Sequence, residues 1–288
     1  MTLFDPQPVN RRSAISALAA LAVTPLITRG DPDELARRKL NRIGLALFTV
    51  RPLTSRDFER TLKQVAGIGY RDLDMYIYES KREPAETRAM LDRAGLACPS
   101  ARVATPALYR GWDRFLDAAN TLGARFITLA NISYEERLHL RDWQEIADVL
   151  NKAGEEARRR GLTLCYHNHS FELEPLGGKV PLDLLLASTD PALVKLQMDV
   201  YWMTHGGRNP AAEIRRLGSR VASLHLKDMD ATPTRGITTV GRGIIDFRAV
   251  LAAAADAKVA HYFVEEDAPA DPLGAVRSSY AHLARLDF

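Results

Sequence analysis

The sequence predicts an α/β fold, a single (β/α)8 barrel preceded by an N-terminal export segment. The chain has 288 residues, of which 46% are hydrophobic, so it can bury a barrel-sized core. From residue 43 onward, short β-type runs alternate with amphipathic helical stretches, without a linker or low-complexity tract between them. Eight such units indicate parallel strands joined by helical crossovers, and that number favours a closed barrel over an open sheet.

The N-terminal segment, residues 1–30, is predicted to be a twin-arginine-type export signal. Arg11 and Arg12 precede an apolar, alanine-rich run from 14 to 27. The run is too short and too interrupted for a stable membrane span. This interpretation predicts a periplasmic protein. The alternative is an ordinary N-terminal helix on a cytoplasmic protein, because the segment contains no clean A-x-A cleavage motif.

The barrel itself is predicted over residues 40–288. Its strands are the β-type runs at 43–49, 71–76, 97–103, 125–130, 162–167, 194–199, 221–226 and 260–265. Between several of them, apolar residues recur every three or four positions, which predicts amphipathic helices at 57–67, 84–95, 112–123, 141–160 and 246–256. Several of these stretches end at a glycine just before the next strand, which is typical of a helix C-terminus.

Charge and cysteine content bear on two classes of protein. The 39 basic and 36 acidic residues are spread along the chain without long blocks of one sign, so no nucleic-acid-binding patch is predicted. The two cysteines, Cys98 and Cys165, each lie within a predicted apolar strand. They are expected to be buried thiols, and their number excludes a disulfide framework.

Polar residues at the ends of the predicted strands locate a candidate site. In a barrel of this kind the active site forms at the C-terminal ends of the strands and in the loops that follow. The first four strands supply Asp74, Asn131 and little else. The last four supply a richer set: His167, His169, Asp199, His225, Lys227, Asp228, Glu265 and Glu266. Imidazole and carboxylate groups in this combination predict one divalent metal ion, Mn, Co, Zn or Mg.

Metal ligation is favoured over structural ion pairs for Asp199, His225 and Glu265. An unpaired charge beside a packed interior is costly, and a shared metal removes that cost. Side chains alternate along a strand, so His167 and His169 can share one face with Asn168 opposite. Either histidine could bind the metal.

Several stretches then resemble a known family. They are "IGY" at 68–70, "YHNHSFELEP" at 166–175, "LQMDVYWMTHGG" at 196–207, "LHLKD" at 224–228, "VGRGIIDF" at 240–247 and "VEED" at 264–267. Together they resemble the sugar phosphate isomerase/epimerase family of xylose-isomerase-like TIM barrels, in a branch marked by "YHNH". The similarity spans roughly residues 40–288 in order and spacing.

The resemblance implies one divalent metal held by a glutamate, an aspartate, a histidine and a glutamate after strands five to eight. Asp199, His225 and Glu265 match the last three. Strand five departs from the pattern, which leaves the fourth ligand open among His167, His169 and Glu172. Epimerase members also have a histidine three positions after the aspartate. Here that residue is Trp202, which weakens the expectation of ordinary ketose epimerisation.

The expected activity is metal-dependent epimerisation, isomerisation or β-elimination of a keto-sugar or keto-glycoside, through an enediolate. The acid–base candidates are His169, Glu172 and Lys227. The residues expected to contact the substrate are Asn168, Trp202, His205 in a glycine-rich loop, and Arg242 in a loop over the barrel mouth.

Two other functions stay open at this point. One is an abasic-site endonuclease-like phosphodiesterase, for which the first four strands supply too few ligands. The other is a non-catalytic sugar-binding barrel. The expected partner is a small carbohydrate rather than nucleic acid, and a homo-oligomer is compatible with the sequence.

Overall fold

Eight parallel strands hydrogen-bond in chain order, and the last pairs with the first, in a computed structural model that describes residues 38–288. The predicted (β/α)8 barrel is confirmed. The predicted export signal lies outside the described residues. The strands are β1 (Gly44–Ala46), β2 (Asp72–Tyr76), β3 (Ala97–Val103), β4 (Phe126–Leu129), β5 (Thr163–His167), β6 (Val194–Asp199), β7 (Val221–Leu226) and β8 (His261–Val264).

One main helix follows each strand on the outside of the barrel. Several begin at an aspartate or asparagine whose side chain accepts a backbone hydrogen bond from the first turn, as Asp57 does from Arg60. No helix among residues 38–288 is long and apolar enough to cross a membrane. The helices are α1 (Phe58–Ile68), α2 (Pro84–Ala94), α3 (Trp112–Leu122), α4 (Leu140–Arg159), α5 (Pro181–Ser188), α6 (Pro210–Leu217), α7 (Phe247–Asp256) and α8 (Pro272–Leu283).

The first strand is shorter than predicted. It ends at Ala46, and Leu47–Val50 form a 3-10 turn that continues into a helical turn at Arg51–Thr54. Leu47, Thr49 and Val50 are all buried. A short apolar run of this kind fits a buried turn as well as a buried strand, which is why the sequence pattern did not separate them.

The upper interior of the barrel is polar. Side chains alternate along each strand, so that Leu73 and Met75 of β2 join the hydrophobic core while Asp74 between them reaches His225 on β7. Because β2 and β7 are not neighbours in the sheet, this contact crosses the barrel. The interior therefore presents charged and hydrogen-bonding groups just below the C-terminal strand ends.

Both cysteines are buried free thiols, as predicted. Burial raises the pKa of each thiol, Cys98 and Cys165, well above its ordinary value. A buried thiol with a raised pKa is a packing residue rather than a nucleophile.

Candidate metal centre

Four side chains from consecutive strands converge at the mouth of the barrel. They are His167 at the end of β5, Asp199 at the end of β6, His225 on β7 and Glu265 just after β8. One ligand-type atom of each lies within 4.8 Å of those of the other three, and all four side chains are buried. We call these residues the ligand cluster. The convergence follows from parallel pairing in register, since neighbouring strands place Asp199 directly beside His225.

His225 stands between two carboxylates. Its Nδ1 lies 2.9 Å from Glu265 Oε2, and its Nε2 lies 2.9 Å from Asp74 Oδ2. Burial disfavours the charged ring, but Glu265 and Asp74 outweigh this and raise the pKa of His225 to about 9. In this arrangement the ring is an imidazolium. A metal ion would have to displace a proton from it, because a histidine ligand binds through a lone pair.

His167 has the opposite electrostatic environment. Its Nδ1 lies 3.1 Å from Gln197 Oε1, and its side chain is fully buried. Burial, followed by the cations His225 and Arg102, lowers the pKa of His167 well below its ordinary value. The ring is therefore neutral at physiological pH and keeps the lone pair that a metal ligand needs.

Lys227 is buried against the carboxylates of the cluster. Its Nζ lies 3.2 Å from Asp199 Oδ2, 2.8 Å from Glu265 Oε2 and 2.7 Å from Asp267 Oδ1, and the side chain is 2% exposed. Burial alone would lower the pKa of Lys227, but the three carboxylates raise it. The ammonium therefore stays charged and supplies a fixed positive group beside the cluster.

Arg102 provides a second buried cation that sequence reasoning missed. Its Nη1 lies 3.2 Å from Glu265 Oε1 and 3.5 Å from Asp74 Oδ2. Burial raises the pKa of Glu265, but Lys227, His225 and Arg102 reverse this and hold it well below its usual range. Glu265 is thus an ionised carboxylate surrounded by positive charge.

The donor set fits a divalent metal ion. Two imidazoles and two carboxylates suit Mn, Co, Zn or Mg, and a mixed nitrogen and oxygen set does not select among them. Asp199 Oδ1 accepts a hydrogen bond from the backbone N–H of Trp202 at 3.0 Å, whereas its buried Oδ2 lies 3.2 Å from the Lys227 ammonium. This buried oxygen already has a cation as its partner, and a divalent metal ion would take the same place. The cluster can therefore hold one metal ion.

Aromatic rings form a wall beside the cluster. The ring of His169 stacks on Phe171 with centroids 5.4 Å apart, and it lies 5.0 Å from His167 and 5.7 Å from Trp202. Trp202 also lies 5.5 Å from Lys227 Nζ. The His169 side chain is 26% exposed, in contrast to the buried ligand cluster. His169 and Trp202 are therefore placed where a substrate above the cluster would meet them.

Asn168 and Glu172 occupy positions different from those predicted for a substrate contact and an acid–base group. Asn168 is fully buried, and its Oδ1 accepts a hydrogen bond from the backbone N–H of Asp199 at 3.1 Å. Glu172 is also fully buried and accepts hydrogen bonds from the Tyr166 hydroxyl at 2.7 Å and the His169 backbone N–H at 2.8 Å. Both residues therefore hold their neighbours in place. Of the three candidates for fourth ligand, the cluster contains His167.

Comparison with known proteins agrees with this architecture. The family described as xylose isomerase-like TIM barrel matches residues 62–286. The chain belongs to this family. A solved member, a sugar phosphate isomerase/epimerase from Parabacteroides distasonis, superposes with a TM-score of 0.74 at 23% identity, covering 85% of this chain and 96% of its own. At that identity the likeness establishes the fold.

Curated relatives of this xylose isomerase-like barrel include inosose dehydratases. The protein of that name from Bacillus anthracis is 29% identical over 160 residues, which cover 50% of this chain and 53% of the relative. The inosose dehydratase from Geobacillus kaustophilus is 24% identical over 268 residues, covering 79% of this chain and 85% of the relative. The first alignment thus spans about half of the relative's length.

The other two predicted substrate contacts are His205 and Arg242. Contrary to the prediction, His205 does not lie in a glycine-rich loop. It is the last residue of a short helix, Val200–His205, and its ring lies 5.7 Å from that of Trp202. Arg242 is exposed and lines a cavity of about 330 Å³ with Thr239 and Glu266.

Asp228, one of the polar residues after strand seven, turns away from the cluster to hold a loop. Its Oδ2 accepts hydrogen bonds from the backbone N–H groups of Gly241 and Gly243, both at 2.9 Å. Its Oδ1 accepts from those of Met229 at 2.8 Å and Ile245 at 3.2 Å. This carboxylate therefore fixes both ends of the segment after β7.

Asp228→Asn is expected to destabilise the protein by about 3 kcal/mol. In the variant, the NH2 group of the asparagine would face two backbone N–H donors that bind a carboxylate oxygen in the wild type. Urea unfolding measures the change. Asp256→Asn is the control, since Asp256 makes an exposed ion pair with Arg38, and it should stay within about 0.5 kcal/mol of the wild type. Equal stability of the two variants would contradict the role given to Asp228.

Proposed function

We propose that this chain is a divalent-metal-dependent lyase or isomerase that acts on a keto-sugar or keto-glycoside through an enediolate. The observation that carries the proposal is the ligand cluster at the barrel mouth, with Lys227 and His169 beside it. The inosose dehydratases among the relatives favour a carbonyl-containing cyclic substrate and an elimination.

The side chains at the barrel mouth have different roles in the proposed reaction. His167, Asp199, His225 and Glu265 would hold the metal, which when bound supplies a Lewis acid for a substrate carbonyl or hydroxyl oxygen. Lys227 places its ammonium where negative charge develops on the substrate oxygen as the neighbouring C–H is broken. His169 is the base that takes this proton, because its ring borders the cluster and is partly exposed.

Trp202 favours elimination over epimerisation. Epimerisation needs a proton removed from one face of the substrate carbon and returned to the other, whereas β-elimination needs one base and a leaving group. Trp202 occupies the position three residues after Asp199, so an indole stands where a second acid–base group is expected from the resemblance. Its ring instead offers an apolar surface for one face of a sugar. We therefore expect loss of a β-hydroxyl or β-alkoxy group as the main reaction.

Deuterium exchange tests the proposal. The metal-loaded protein is incubated with keto-sugars and 3-keto-glycosides in deuterated water and followed by NMR. We expect solvent deuterium at the carbon next to the carbonyl, or an unsaturated product. His169→Gln should lower the rate by about 100-fold. The matched control is His139→Gln, since His139 is an exposed residue at the start of α4.

Two results would contradict the proposal. Binding of keto-sugars without exchange or product would favour a non-catalytic sugar-binding barrel. Cleavage of an abasic-site oligonucleotide, with no exchange on any keto-sugar, would favour the phosphodiesterase.

A further inference from the structure

A chain of buried polar groups lies below the ligand cluster and converges on Asp74. This residue sits on β2 with no exposed surface. Its Oδ2 accepts from His225 Nε2 at 2.9 Å, and its Oδ1 accepts a hydrogen bond from the Ser100 hydroxyl. Neither contact was predicted from the sequence, because both partners lie on other strands of the barrel.

The chain continues from Ser100 to the other histidine of the cluster. Gln197 Nε2 donates to Ser100 Oγ at 3.4 Å, and Gln197 Oε1 lies 3.1 Å from His167 Nδ1. Thr128 Oγ1 completes the surroundings of Ser100 Oγ at 3.1 Å. The side chains of Ser100, Thr128, Gln197 and His167 are all buried.

The direction of every hydrogen bond in this chain is fixed by Asp74. Because Ser100 gives its single hydroxyl proton to Asp74 Oδ1, its oxygen can only accept hydrogen bonds from Gln197 and Thr128. With its NH2 group turned to Ser100, Gln197 presents its carbonyl oxygen to His167, which must carry its proton on Nδ1. The same reasoning puts a proton on Nε2 of His225.

We propose that Asp74 is a positioning residue that sets the proton-bearing nitrogen of both histidines in the ligand cluster. Each ring then keeps its other nitrogen for the metal: Nδ1 of His225, which already faces Glu265, and Nε2 of His167. One buried carboxylate thus orients two ligands on two different strands, the first directly and the second through Ser100 and Gln197. The inference rests on the proposed metal-dependent function.

Asp74→Asn tests this role, because an amide offers one acceptor atom in place of two. Either His225 or Ser100 would then meet an NH2 group, and the chain of donors would be broken or reversed. We expect the affinity for Co²⁺, measured by titration without substrate, to fall by about 10- to 100-fold, with a changed visible spectrum of the bound ion. Long-range 1H–15N spectra of the Zn²⁺-loaded protein should show altered protonation of both His225 and His167.

Two further variants separate this role from a general loss of packing. Asp72→Asn is the matched control, since Asp72 is a buried aspartate on the same strand that pairs with Arg42 and His261 rather than with the cluster. It should leave Co²⁺ affinity and both rings unchanged. Ser100→Ala should alter the protonation of His167 alone, because it interrupts only that branch.

The inference is overturned if Asp74→Asn keeps wild-type Co²⁺ affinity and wild-type histidine protonation, or if wild-type His167 carries its proton on Nε2. Should Asp74→Asn not fold, Ser100→Ala decides through the His167 signal. A wild type that binds neither Zn²⁺ nor Co²⁺ would contradict the proposed function alone. The nitrogen of His167 that carries the proton in the metal-free protein would still test the role of Asp74.

Discussion

Asp199→Asn and His225→Asn are each expected to weaken divalent metal binding by more than about 100-fold, beyond the loss typical of residues that only support a ligand. Asparagine at position 199 keeps nearly the same volume and can still accept the Trp202 backbone hydrogen bond that starts the helix Val200–His205. It lacks the negative charge that the cation would pair with. Asparagine at 225 removes the imidazole from the centre of the cluster.

Metal analysis of the purified proteins, followed by Mn²⁺ or Zn²⁺ titration, measures this effect. The control is Asp183→Asn, because Asp183 is an aspartate outside the cluster that pairs with Arg208 and Arg216. It should retain wild-type stoichiometry. Stoichiometric metal in both cluster variants would show that the convergence of these side chains is a structural ion-pair network instead.

Most of the fold could be predicted from the sequence because each unit carries its own local signal. The strands predicted at 97–103, 194–199 and 221–226 have the same bounds in the structure. The predicted helices begin and end within one residue of the observed ones. Helices α5, α6 and α8 were not predicted as separate elements. Helix α5 is apolar at most positions, so it shows no clear amphipathic repeat, and helix α6 is short.

The site was predictable only where function lies at strand ends. His167, Asp199 and Glu265 lie at or just after strand ends and His225 lies one residue before one, and barrel geometry brings such ends together. Arg102 and Gln197 also lie within two residues of a strand end, but neither is an imidazole or a carboxylate, so the metal-ligand pattern did not include them. Their signal was the two-residue alternation that puts them on the same inward face as Ser100 and Asp199. This alternation identifies them as site residues only once the barrel interior is known to be polar.

The positions of buried protons and ion pairs could not be predicted from sequence at all. Asp74 is one of the polar residues that the sequence places on strand two, yet its partner His225 lies 151 residues away on a strand three positions around the barrel. No local sequence pattern encodes a contact across a barrel. Such a contact depends on which inward-facing side chains lie at the same level along the barrel axis, and that is set by the register of the closed sheet.

Lys227→Met is expected to separate metal binding from catalysis. Methionine keeps the length of the side chain but removes the ammonium that Asp199, Glu265 and Asp267 share. Removing one partner from a buried ionic cluster leaves uncompensated charge, so the metal-free variant should lose about 3–5 kcal/mol of stability. Saturating divalent metal should restore most of this loss, because a cation at the cluster compensates the same carboxylates.

Urea unfolding with and without Mn²⁺, together with the deuterium-exchange assay, measures both effects. Lys195→Met is the control, since Lys195 lies on β6 with its Nζ near the surface, donating to the Ser219 carbonyl at 3.0 Å. The Lys227 variant should bind Mn²⁺ at least as tightly as the wild type, because an ammonium no longer competes for Asp199 and Glu265. Its exchange rate should nevertheless fall by about 100-fold or more, as expected when a charged group that stabilises the transition state is removed. Wild-type exchange in a variant that binds metal normally would mean that Lys227 serves only to balance charge in the metal-free barrel.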